Sequence, residues 1–168
     1  MLSRLALAAV LPALALCACD QPKPRHVAPA PPAATSEGVP PPAAWAAPLI
    51  GRGRAELFPG ELKPCLGNTD VITRRYAGEP AGVMVVGWGW EPAAKAPPPR
   101  VILVDIDNRI AGGGESGLPR PDVPAAIAEV TSPDTGWSAN VARAKGPLDA
   151  FGIVDGGQAL CRLGHIEF

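Results

Sequence analysis

The 168-residue sequence predicts an all-β fold, a small antiparallel β-sandwich with one short helix, standing behind an extended N-terminal tract. Three observations carry this expectation. The chain holds 22 Pro and 19 Gly at 47% hydrophobic residues, which is enough apolar material for a core but too many breakers for a mainly helical protein. Its apolar segments are short, rich in β-branched residues and bounded by turn residues, as strands are. Pro and Ala crowd into one stretch before residue 48, so the folded part begins after it. The formal net charge is −1, and the basic residues are scattered apart from the adjacent Arg74 and Arg75, which leaves no patch to hold a phosphate backbone and excludes nucleic acid as a partner.

Residues 1–18 read as an export signal. Arg4 supplies the positive start, and residues 5–16 form an apolar run too short to span a bilayer as a permanent helix. The run ends in Leu16-Cys17-Ala18-Cys19, which resembles the bacterial lipoprotein box, with an aliphatic residue three before the acceptor cysteine and a small one immediately before it. Cys19 fits as the lipidated residue, whereas Cys17 would need Leu16 in the small-residue place. Each buried methylene of an acyl chain contributes about 0.8 kcal/mol, so two or three chains on Cys19 would hold the protein at a membrane surface facing the periplasm. Asp20 resembles the signal that retains enteric lipoproteins at the inner membrane, and this favours the inner over the outer membrane.

Residues 19–48 then read as a disordered Pro/Ala tether, extended at about 3.1 Å per residue in polyproline geometry. Trp45, Leu49-Ile50 and Leu57-Phe58 restore apolar character, which places the domain at residues 49–168, about the size of one immunoglobulin-like sandwich. Strands are expected over residues 70–76 and 82–90. Residues 101–106 are a continuous β-branched run that turns at Asp107-Asn108 into residues 109–111, a hairpin. Residues 137–142 supply another strand, and residues 151–154 and 158–163 flank Asp155-Gly156-Gly157 as a second hairpin. One helix is expected over residues 121–129, where Pro121 suits the first turn, Asp122 favours the positive helix end, and Val123, Ile127 and Val130 share a face.

Of four cysteines, Cys17 leaves with the signal and Cys19 takes the lipid. Cys65 and Cys161 remain in an oxidising compartment, so they are expected to form a disulfide between the first and last strands of the domain. A loop of about 97 residues gives an entropic stabilisation of roughly 4 to 5 kcal/mol at most.

Several segments together resemble one known pattern: Cys65-Leu66-Gly67-Asn68-Thr69-Asp70, Gly87-Trp88-Gly89-Trp90, residues 102–112, Arg120-Pro121-Asp122-Val123, Gly136-Trp137 and the closing Cys161. The pattern is similar to an extracytoplasmic β-sandwich module at the C-terminal end of bacterial membrane proteins related to glycosyltransferases. Glu91 stands where that family usually has Asp, and here the module follows a lipid anchor in place of membrane helices. The resemblance implies an accessory or binding role and no reaction.

The residues with chemistry to offer are few. Strand alternation puts Met84, Val86, Trp88 and Trp90 on one face and glycines on the other. Paired Trp side chains suit stacking on sugar rings, which makes Trp88 and Trp90 candidate ligand-binding residues. The alternative is packing in the core, which is the stronger reading for Trp88 and an equal one for Trp90, nearer the strand end, where partial exposure would leave a face for a sugar. Arg120 and Asp122 form a second candidate ligand-binding set, for an anionic sugar or phosphate, with ion pairing inside the domain as the alternative. Asp105-Ile106-Asp107-Asn108 alternates oxygen ligands as calcium loops do, but a turn accounts for it, so no metal site is expected. Gly114-Glu115-Ser116-Gly117 fails the hydrolase-elbow spacing at Leu118, and Gly112-Gly113-Gly114 has no following Lys-Ser/Thr, so no cofactor and no catalytic residue is assigned. The expected function is a non-catalytic, membrane-anchored lipoprotein that binds an envelope polysaccharide or a membrane protein of glycan assembly. The alternatives are an adaptor that makes protein contacts through a flat apolar patch, and an envelope carbohydrate hydrolase with two carboxylates, or one near His165, in a cleft.

Overall fold

The computed structural model describes residues 32–143 and 145–168; the expected export signal, residues 1–18, and the expected lipid site Cys19 lie outside them. Eight strands form one sheet: β1 (Ala34–Thr35), β2 (Leu66–Tyr76), β3 (Gly82–Trp90), β4 (Arg100–Asp105), β5 (Ile110–Leu118), β6 (Gly136–Val141), β7 (Leu148–Val154) and β8 (Ala159–Ile166), in the order β1-β2-β3-β6-β5-β4-β7-β8. Every pairing is antiparallel except that of β1 with β2. The described residues are thus mostly β, as expected. The two separate facing sheets of an immunoglobulin-like sandwich are not what the hydrogen bonds make, because the ladder is continuous from β1 to β8 and the sheet curls on itself.

Bulges explain the curl. Pairing shifts register at Asp70 and Thr73 in β2, between Leu103 and Val104, at Gly117 and between Ala150 and Phe151, and each such shift adds local twist. Alternating directions leave β2 and β8 parallel, and the curl brings them together. They meet through the Lys63–Cys161 bridge and through glycines: a Cβ at Gly164 would stand 2.5 Å from Thr69 Oγ1, so only glycine admits this approach. The Cys65–Cys161 disulfide crosses the same seam. It joins the entry of the second strand, not the first, to the last, because β1 precedes it.

The curled sheet has apolar residues on both faces. Inside lie Val83, Val85, Val101, Leu103, Trp137, Leu148, Cys161 and Leu163. Outside, Ile102, Val104, Ile110, Phe151, Ile153 and Leu160 are covered by Phe58, Trp45, Leu49 and Leu57, the last from helix α1 (Arg54–Leu57). Both faces of β4 are therefore dry, which is why residues 101–105 read as an unbroken apolar run.

Two boundaries differ from expectation. The tether was expected to run to residue 48, but Ala34 and Thr35 already pair with Arg75 and Tyr76, and Val39 and Ala46 are buried. Small side chains suit this cover, because Ala46 packs where β5 offers the bare backbone of Gly113. The helix expected over residues 121–129 is α2 (Asp122–Ala126) alone, with Pro121 as its cap residue and Ile127 back in extended backbone. Val123 and Val130 still reach the same cluster, the second through the loop after the helix. The short helix α1 had no sequence signal.

Candidate functional site

Alternation along β3 places Trp88 and Trp90 on the outer face, where the connection between β5 and β6 folds over them. Trp90 is 1% exposed and packs with Val123 and Val130. Its ring has no open face, so the expectation that it offers a sugar platform is corrected. Trp88 lies at the border of the same cluster and is only partly buried, where a core position was expected. The core tryptophan is Trp137, in the interior cluster with Cys161; a Cβ at Gly87 would lie 2.4 Å from its ring.

Arg120 and Asp122 form the internal pair that was the alternative to a ligand site. Arg120 donates from Nε and Nη2 to both oxygens of Asp122 at 2.9 and 2.7 Å, and from Nη1 to Asp70 Oδ2. Asp70 in turn accepts from Asn68 Nδ2 at 3.0 Å. The fork holds the Asp122 carboxyl below its usual range and raises the guanidinium further. With three nitrogens engaged, Arg120 latches the β5–β6 connection to β2 and has little left for an anion.

Side chains converge elsewhere, in a cleft of about 390 Å³ between the β4–β5 turn, the start of β7 and the end of β8. Val104, Leu148 and Phe151 line its apolar part; Arg54, Asp149, His165 and Glu167 bring hydrogen-bonding groups. Asp105 closes the turn beside it. Its Oδ1 accepts from the backbone N–H of Asp107 at 3.0 Å and of Arg109 at 2.9 Å, and its Oδ2 pairs with Arg143 at 2.7 Å. Those bonds account for the alternating acidic residues noted in the sequence. Asn108 takes φ 58°, a left-handed conformation that Asn tolerates, and its Oδ1 accepts from Arg54 Nε at 2.8 Å. Arg54 is thereby held 5.2 Å over the Phe151 ring.

Asp149 and His165 stand directly opposite each other across β7 and β8. The carboxylate meets His165 Nδ1 at 3.0 Å and accepts from Arg162 Nη2 at 2.8 Å. Burial pulls the Asp149 carboxyl upward, but the bonds from Arg162 and His165 outweigh it and hold the group below its usual range. With Nδ1 engaged, Nε2 is the His165 nitrogen left for another partner. Among the described residues no hydroxyl or thiol side chain lines the cleft, so none of them is placed there as a Ser, Thr or Cys nucleophile. Of the carboxylates that line the cleft, Asp105 and Asp149 are each paired with an arginine.

Sequence reasoning named His165 only as a neighbour for a carboxylate in the hydrolase alternative and missed Arg54, Asp149 and Glu167. The only available signal was the register of the last hairpin. Among the described residues no group of three or more His, Cys, Asp or Glu could hold a metal ion, and no helix is long and apolar enough to cross a membrane. Comparisons with protein-family models, with curated proteins and with solved structures found no match to this chain.

Proposed function

We propose that this is a lipoprotein, anchored through Cys19 and facing the periplasm, whose β domain binds an envelope glycan in the cleft of Arg54, Asp149, His165 and Glu167. The observation that carries the reading is the cleft itself: donors (Arg54, His165) and acceptors (Asp149, Glu167) face one apolar-floored volume of about 390 Å³. A polyol, which both donates and accepts, matches such a mixed set, and the size lies in the usual range of ligand pockets. The similarity to modules of glycosyltransferase-related membrane proteins supports the same ligand class. The test is calorimetric titration of the full chain with soluble fragments of the host's envelope polysaccharide. Saturable binding that is lost in His165→Ala and Arg54→Ala, both folded, is the expected result; binding that survives both substitutions removes the cleft from the reading. Mass spectrometry of the membrane-extracted protein checks the acyl group on Cys19.

A second reading, an adaptor making protein contacts, is favoured by one observation. Val71, 51% exposed, pairs with the half-buried Val86 on the outer face of β2 and β3, beside Met84 and Trp88. Retention of a protein partner by the full chain, abolished by Val71→Asp and untouched by His165→Ala, would favour it over the glycan site.

A further inference from the structure

Strand directions alternate from β2 through β3, β6, β5, β4, β7 to β8, so the turns at residues 77–81 and 106–109, the end of β6, the start of β7 and the C-terminus gather at one end of the sheet. β1 lies near that end, beside Arg75 and Tyr76, and runs towards it in the direction of β2, and the cleft opens there. Ile106, at the tip of the β4–β5 turn and on the rim of the cleft, is 76% exposed, the most exposed large apolar side chain among the described residues. Ile50 is also exposed nearby, where Gly51 O accepts from Arg109 Nη1 at 2.7 Å.

We propose that this end of the domain docks on the bilayer surface with Ile106 as its apolar contact, so that the cleft is presented to glycan carried at the membrane. The inference rests on the anchor at Cys19. Residues 20–33, fourteen in number, separate that cysteine from β1 and reach about 50 Å at most when fully extended. A tether of this length holds the domain at an effective concentration of order millimolar to the surface, so a contact too weak to recruit a free protein is still populated. Charge does not supply the contact. Arg54, Arg74, Arg75, Arg109, Arg143, Lys145 and Arg162, the last paired with Asp149, stand at this end with Glu37, Glu79, Asp105, Asp107, Asp149 and Glu167, an excess of one positive charge (7 − 6) that is too small to hold the domain at a surface by itself. Docking is therefore expected to depend on the apolar tip and to persist at high salt.

The experiment uses the protein purified from its own membrane and reconstituted into phosphatidylethanolamine and phosphatidylglycerol vesicles carrying brominated acyl chains. Ile106→Trp is compared with Leu62→Trp, a 45% exposed position at the opposite end of the sheet, each after subtraction of the parent's emission. Both sites are exposed, so the core is unaltered. The expected result is blue-shifted, bromine-quenched emission for Ile106→Trp, unchanged by salt, and solvent-like emission for Leu62→Trp. Acylated protein with Ile106→Trp in water, or with both positions quenched alike, overturns the dock while leaving the anchor standing. A mass that shows no acyl group on Cys19 overturns the anchor, and the dock with it.

Discussion

Trp88 and Trp90 stand two residues apart on one strand face, yet their removal should differ sharply. Trp90→Ala empties a fully covered site and is expected to cost about 3–5 kcal/mol, whereas the half-buried Trp88 should cost about 1–2 kcal/mol. Urea denaturation of the two variants decides this; equal losses would contradict the cover described for Trp90. Asp149 gives a pH-dependent expectation. Its folded pKa lies below the unfolded value, so its contribution to stability is complete above the unfolded value and fades as pH falls through the depressed one. Melting temperatures of the parent should therefore fall more steeply below about pH 4 than those of Asp149→Asn, which is already less stable at neutral pH. Parallel curves would sink this reading of the Asp149–Arg162–His165 set. No individual residue in the sequence announces that set, because residues 149, 162 and 165 meet only through the β7–β8 register and its bulge at Leu163.

At the scale of elements, the stretch from Ala34 to Ala46 shows what periodicity cannot detect. Its Pro and Ala residues have no strand or helix period and look like a spacer, but Ala46 is buried against Gly113 of β5 and Val39 against Gly82 of β3. Deleting residues 19–48 should therefore destabilise the domain by several kcal/mol, since burying even one Val contributes about 1.5–3 kcal/mol. A deletion variant with an unchanged denaturation midpoint would restore the spacer reading for the whole tract. The β5–β6 connection offers a paired test. Arg120→Ala strips Asp70 of its partner at a partly buried site and should cost about 1–3 kcal/mol, whereas Asp122→Ala, at an exposed side chain whose ion pair is screened by solvent, should cost clearly less in the same denaturation measurement. Strands β3, β4 and β6 were legible almost to the residue because their alternation or β-branching is strong. β5 was read only as far as residue 111, because Gly112-Gly113-Gly114 carries no side-chain pattern at all.

For the whole molecule, the decisive feature is the seam between β2 and β8. The two strands meet with glycines against side chains and an isolated bridge in place of a full ladder, so the Cys65–Cys161 bond does much of the joining. Its partners lie 96 residues apart, and the entropy of so long a loop corresponds to roughly 4–5 kcal/mol at most. Guanidinium denaturation of the Cys65→Ser, Cys161→Ser double variant should show a loss of a few kcal/mol, together with faster amide exchange in β2 and β8 than in β4 and β5. Uniform exchange across the sheet would show that the seam is not the weak line.

Composition, alternation and cysteine context by themselves determined that the described part of the chain is mostly β, where most of its strands run, and that Cys65 pairs with Cys161. These are local or compositional properties, carried by the side chains of each segment. The tertiary structure alone decided that the strands make one curled sheet, that Trp90 and not Trp88 is covered, that Arg120 is spent on Asp70 and Asp122, and that Asp149 faces His165. Each of those depends on register, bulges and sheet curvature, which bring together residues from 2 to 50 positions apart in ways no local pattern encodes.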